Sequence, residues 1–280
     1  IHIMLGPTQT MTCTPEMLKE TRRLADRLGV GITIHAAEDL AEVEGCARIH
    51  GKTPIQLCAD TGMLGEDVVI AHCVFTTGHS QVFIRGKQDL KLLGDSHTNV
   101  AHSPTPFIRI GKCLESFGKY RDAGVNMGMG NDTFPSDMLQ EMRLAVFMAK
   151  AMEHTTYRTQ AKDVFHAATL GGAKAFGRTD IGRLCEGAKA DFIVMDLSTI
   201  EMTPARDVIK NVVYSGTRHS VSRVYVEGEC IVRDGKACGI DEAALCEELQ
   251  EICEAAWKVL RAEDGRQMDE IYPMTYPRYV

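Results

Sequence analysis

Four stretches of this chain end on groups able to move protons or hold a cation. They are Gly31-Ile-Thr-Ile-His35, with Glu38 three residues on; Asp67-Val-Val-Ile-Ala-His72; Asn99-Val-Ala-His102; and Val125-Asn-Met-Gly-Met-Gly130, which leads into Asn131-Asp132. Each begins as a short apolar run of the kind that forms a buried strand, and each hands over to an imidazole or a carboxylate. In parallel α/β folds the carboxyl ends of the strands are where ligands and catalytic groups collect. Taken singly, His35 reads equally well as a hydrogen-bonded core histidine and Glu38 as a solvated loop acid. The repetition of the pattern makes a shared site the sharper expectation.

The intervening segments must be able to position those ends. Thr14-Pro15-Glu16 supplies an N-cap, a proline at the first helical position and an early acid. Met17, Leu18, Thr21, Leu24 and Leu28 follow at helical spacing, and Gly29 closes the helix. Helices are also expected over Leu40–Ile49, Thr53–Ala59, residues 79–93 as one helix, Leu114–Asp122, Ser136–Ala151 and Thr159–Phe176. Counting an opening strand over Ile1–Leu5, the chain offers five strands alternating with helices, hence successive βα units and a parallel sheet. Beyond Gly177 the texture changes to short strands: Asp191–Met195, Val208–Tyr214, Val221–Val226 and Cys230–Arg233, the last pair joined by a hairpin turn. An amphipathic helix is expected over Asp241–Arg261, and Ile271–Pro277 reads as a docked tail. The resulting division is 1–180, 181–240 and 241–280.

Composition narrows the function. The 280 residues are 44% hydrophobic and carry a net charge of −7, enough apolar matter for a large core and no basic cluster for nucleic acid or an anionic membrane. No apolar run reaches transmembrane length. Ten cysteines without a CxxC pair read as reduced thiols in a cytoplasmic protein rather than a disulfide scaffold or a zinc finger.

The ordered motifs resemble the amidohydrolase superfamily, in the branch of cytosine deaminases, S-adenosylhomocysteine deaminases and triazine hydrolases, over its C-terminal two-thirds. They are Gly6-Pro7 with Thr12–Glu16, Ile34-His-Ala-Ala-Glu38, Ile70-Ala-His-Cys73, Val100-Ala-His-Ser-Pro104, Gly128-Met-Gly-Asn-Asp132, Glu141-Met-Arg143, Ala167–Ala173, Ile181-Gly182 and Gly187–Phe192. The resemblance implies a (β/α)8 barrel of the TIM type, with strands four to eight present here, beside a small β-sandwich and a C-terminal helix. It also implies hydrolysis of a carbon–nitrogen, or carbon–halogen, bond of a cyclic amidine or related heterocycle. One divalent metal is implied, Zn2+ first and Fe2+ as the alternative. His35 and Asp132 would be metal ligands, with Asp132 also taking a proton. Glu38 would be the general acid–base, and His72 would polarise the reacting carbon rather than ligate the metal. Gln9, His102 and Phe107 would face the substrate; His102 reads equally as a group that orients a neighbour or as structure.

Two departures bear on substrate: Gln9 stands where relatives often carry histidine, and Pro106-Phe107 where they carry Ser-Asn. A substrate other than the family's commonest ones, with an aromatic ring, is therefore expected. A third departure is larger. The family's His-x-His pair occurs nowhere in the sequence, and Ile1 opens as though inside a strand. The remaining strands are expected in the same polypeptide or from a partner. The alternative is a non-catalytic amidohydrolase-like subunit. A two-metal, hydantoinase-like reading ranks low, because the opening strand ends Leu5-Gly6-Pro7 without a lysine. Family members often form homodimers, which the sequence neither shows nor excludes.

Overall fold

The computed structural model describes residues 3–264. The expected tail at Ile271–Pro277 and the first two residues of the opening strand lie outside them. Five parallel strands lie in sequence order: β1 (Met4–Leu5), β2 (Gly31–Ala36), β3 (Val68–His72), β4 (Asn99–His102) and β5 (Asn126–Met129). Parallel neighbours demand crossovers. These are α1 (Pro15–Leu28), α2 (Leu40–His50) and α3 (Pro54–Asp60), α4 (Gln88–Asp95), and α5 (Pro104–Ile108) with α6 (Phe117–Asp122).

The helix ends are chemically specified. Thr14 caps α1 by accepting from the Met17 N–H, and Gly29, at φ 64°, closes it in the left-handed region that glycine adopts without strain. Thr53 and Gln56 form a reciprocal capping box on α3. Ile32, Ile34, Val68, Ile70 and Val100 are buried strand residues, packed with Leu18, Ala25, Ile55 and Leu93 from the helices. Each buried Val, Leu or Ile side chain contributes roughly 1.5–3 kcal/mol by leaving water.

After β5 come α7 (Met138–Glu153), α8 (Ala161–His166), a π-helical turn over Ala167–Gly171, and α9 (Gly172–Ala175). The helix expected over Thr159–Phe176 is thus interrupted. Gly171 explains the packing there, since a Cβ at this position would collide with the Met127 carbonyl of β5. A second sheet, antiparallel, contains β6 (Phe192–Met195), β7 (Val221–Val226), β8 (Glu229–Arg233) and β9 (Lys236–Ala237). The β7–β8 hairpin turns through Glu227 at φ 50° and Gly228 at φ 85°. Helix α11 (Glu242–Asp264) follows.

Two expectations are overturned. Residues 79–87 are loop, and only Gln88–Asp95 is helical; Gly78 and Gly86, at φ 86° and 118°, break the chain there. Val208–Tyr214 is not a strand but most of helix α10 (Val208–Ser215). Asp207 caps it through the Lys210 N–H, and the adjacent Val212 and Val213 are both buried. Helix α10 packs on α7 and α8. Within α7, Met142 is buried and Met152 is exposed.

Candidate active site

The carboxyl ends of β2 to β5 lie together because the strands are parallel and in register, with Ala36 beside His72 and His102 beside Met129. The segment after β1 extends the sheet by one bridge, Gln9 to His35. Here the Thr8 carbonyl takes the His35 backbone N–H at 3.2 Å and lies 2.6 Å from His35 Nδ1. A carbonyl can only accept, so Nδ1 carries the proton and Nε2 keeps its lone pair. That is how a histidine is oriented when its other nitrogen is to bind a metal.

His72 is buried, at φ 69°, and neither ring nitrogen has a hydrogen-bond partner. Its ring stacks on His35 at 5.3 Å and meets the edge of Phe107 at 5.0 Å. Its Nε2 stands 3.9 Å from Glu38 Oε1 and 3.9 Å from Asp132 Oδ2. Burial lowers the His72 pKa, with His35 adding to the effect and Asp132 opposing it; the ring is neutral at pH 7. Burial raises the Glu38 pKa, with Asp39 and Asp132 adding to the effect and His35 opposing it. Gln9 Nε2 donates to Glu38 Oε2 at 2.9 Å.

Asp132 lies three residues beyond β5, at φ 60°, with its side chain 44% exposed. Left-handed Asp and His are uncommon, and clusters of such residues mark functional sites. His102 and Phe107 are brought close but buried. His102 has its pKa pushed down to about 3 by burial, and its Nδ1 has no partner. Phe107 packs with Val43, Val74, Phe75 and Val82 behind His72. The structure therefore gathers Gln9, His35, Glu38, His72 and Asp132 as one cluster, with His102 and Phe107 as its backing.

Three contributors have no role in the sequence reading. Glu42 is fully buried and accepts the Glu38 N–H at 2.7 Å. Thr10 donates to Glu42. Glu141, also fully buried, accepts the Thr105 N–H at 3.0 Å. The Glu141-Met142-Arg143 motif now divides: Arg143, two residues on, donates to the Val213 and Gly216 carbonyls at the α10 end. The only signal for Glu42 was an acid flanked by the apolar Val43, since a first-turn acid is ordinarily read as solvated.

Among the described residues no three His, Cys, Asp or Glu side chains converge tightly enough to enclose a metal. The donor chemistry nevertheless fits part of a divalent-metal site, with the free Nε2 of His35, the unpartnered nitrogens of His72 and the Asp132 carboxylate. A groove of about 670 Å³ between α4 and α6, floored by Val74, Leu90, Leu114 and Tyr120, shares no residue with this cluster.

A model of the amidohydrolase family matches residues 1–231. The chain is 33% identical over 258 residues to the 5′-deoxyadenosine deaminase of Methanopyrus kandleri, covering 91% of this chain and 58% of that protein. It is 34% identical over 238 residues to the 5-methylthioadenosine/S-adenosylhomocysteine deaminase of Thermococcus onnurineus, covering 84% and 54%. Among solved structures, an adenosine deaminase from Xanthomonas campestris with bound zinc superposes with a TM-score of 0.82 at 26% identity, over 90% of this chain and 56% of that one. An atrazine chlorohydrolase from Arthrobacter aurescens complexed with zinc gives 0.78 at 23% identity, covering 88% and 54%, a likeness of fold alone. The chain spans somewhat more than half the length of these relatives.

Proposed function

The chain belongs to the amidohydrolase family, and on that premise we propose that it carries the acid–base half of a metal-dependent hydrolase. The reaction is hydrolytic deamination of a cyclic amidine: water adds, the ring carbon–nitrogen bond to the amino group breaks, and ammonia leaves. The substrate class is a 6-aminopurine nucleoside, an inference supported by the names of the similar deaminases. In this reading residues 3–180 belong to a (β/α)8 barrel, residues 181–240 to a β-sandwich, and 241–264 form a C-terminal helix. The ten cysteines are free thiols, in keeping with a reducing, cytoplasmic setting. No described helix is long and apolar enough to cross a membrane.

His35 and Asp132 would hold the ion, Zn2+ first and Fe2+ second, with further donors from outside the described residues. When bound, such an ion lowers the pKa of a water from 15.7 to roughly 7 and so supplies the nucleophile at neutral pH. The chain's own side chains do the rest. Asp132 takes a proton from the attacking water. Glu38 delivers a proton to the ring nitrogen, and its raised pKa suits that task. Gln9 engages Glu38 Oε2, which leaves Oε1 on the His72 side. Neutral His72 donates to the oxygen on which charge develops, and Phe107 shields its other edge from water.

The observation that carries this reading is His72 Nε2. It is buried, unpartnered, and 3.9 Å from each of two carboxylates contributed by different strand ends. The test is zinc content and ammonia release from 5′-deoxyadenosine by the whole gene product, with His35→Ala and Asp132→Ala. Loss of both properties is expected. Full metal and full activity in either variant would end the proposal.

A further inference from the structure

We propose that Glu42 is a positioning residue that locks Glu38 and the Gln9 turn into one hydrogen-bonded unit, an inference that rests on Glu38 being the proton-transfer group. Glu42 lies in the first turn of α2, where an acid ordinarily caps its own helix or faces water. Here the cap is already made: Asp39 accepts the Glu42 N–H at 2.8 Å. The Glu42 side chain reaches back past Asp39, and its Oε2 accepts the Glu38 backbone N–H at 2.7 Å. Its Oε1 accepts the Thr10 hydroxyl. Thr10 follows Gln9, whose amide donates to Glu38 Oε2 at 2.9 Å.

The contacts form a closed ring. It runs from the Glu38 backbone through Glu42, Thr10 and Gln9 and returns to the Glu38 side chain. Glu42 and Thr10 are both buried, and Cys46 Sγ packs 3.7 Å from the Thr10 hydroxyl, so the ring is held from behind. Burying a carboxylate is unfavourable unless donors meet it; here one donor comes from each segment that must be aligned. A free Glu38 carboxylate could rotate and present either oxygen. With Gln9 fixed by Thr10, one oxygen is taken and the other is left 3.9 Å from His72 Nε2.

The experiment uses the whole gene product loaded with zinc and compares Glu42→Ala, Glu42→Gln and Thr10→Val. Steady-state deamination of 5′-deoxyadenosine and a crystal structure of each variant are the readouts. For Glu42→Ala, kcat should fall by roughly 10- to 100-fold with KM within about threefold, the signature of a misplaced group rather than lost binding. Glu42→Gln should recover most of kcat, because its carbonyl can accept from Glu38 N–H while its amide donates to Thr10. The Gln9–Glu38 contact should open in Glu42→Ala and persist in Glu42→Gln. A folded Glu42→Ala with wild-type kcat, or one that keeps the 2.9 Å contact, overturns the proposal. If Glu42→Ala does not fold, Thr10→Val decides by the same two measurements. Should the wild type release no ammonia, the assigned reaction fails while the crystallographic comparison still decides the role of Glu42.

Discussion

His35 and His72 stack with ring centroids 5.3 Å apart and planes 23° apart, although the sheet's pleat assigns them to opposite faces. The register pairs Ala36 with His72 and Ala71 with His35, so a regular strand would send the two rings apart. The left-handed φ of 69° at His72 turns the strand's last residue. Two imidazoles on neighbouring strands thereby come to one place.

His72 has two conceivable roles, and one substitution separates them. If it stabilises developing charge, His72→Ala should keep its zinc and lose about 10²–10³ in kcat. Atomic absorption that shows zinc lost in parallel with activity would make it a ligand instead.

Glu38→Gln should leave the fold intact, since an amide can still meet Gln9. Its kcat should fall by about 10²–10⁴, the range for a positioned proton-transfer group. The loss should fall on kcat with KM within about threefold; a loss confined to KM would assign Glu38 to binding.

Glu42 predicts a pH dependence of stability. Burial, with Asp39 and Glu38 nearby, pushes its pKa up to about 7, while Thr10 and the Glu38 N–H oppose the rise; the Cys46 thiol, itself raised by burial, is the other titratable neighbour. The folded state therefore holds the proton more tightly than the unfolded chain, whose carboxyl sits near 4.5. This contribution is fully present below pH 4.5 and is lost as pH rises through about 7. It amounts to at most about 3 kcal/mol. Urea denaturation of wild type and Glu42→Gln at pH 5 and pH 8 checks it: the difference between the two proteins should change with pH, and parallel curves would contradict it.

Val212→Ala and Val213→Ala should each destabilise by about 1–3 kcal/mol, because both side chains are buried beneath α10. Val208→Ala, 52% exposed, should stay within about 0.5 kcal/mol. Chemical denaturation in which either Val212→Ala or Val213→Ala is silent would contradict that packing.

Gly171→Ala should destabilise by roughly 1–3 kcal/mol, since the new methyl meets the Met127 carbonyl rather than a side chain that can move. Thermal melting is sufficient to see it. An unchanged midpoint would show that the π-helical turn shifts freely.

What the sequence revealed follows from which signals are local. The Thr14 and Gly29 helix ends and the strand ending at His35 depend on neighbours in the chain, and they match the structure. The Val208–Tyr214 run misleads because β-branched residues favour strands intrinsically, while burial against α7 and α8 decides the outcome. His102 and Phe107, expected to face the substrate, are both buried, because burial depends on segments distant in sequence. Glu42 has no comparable local signal, since Thr10 and the Glu38 amide reach it only once the segment after β1 lies beside β2.

The Ala37 carbonyl accepts two backbone amides, Val74 at 2.9 Å and Phe75 at 2.8 Å. One oxygen atom therefore couples the turn leading to Glu38 with the turn leaving His72. Selection for altered substrate range inherits that joint. Residues 79–87 press on it through Val82, which packs with Val74 and Phe75, so exchange of that loop, like changes in the backbone between Cys73 and Phe75, would carry over to the carboxylate on the adjoining strand.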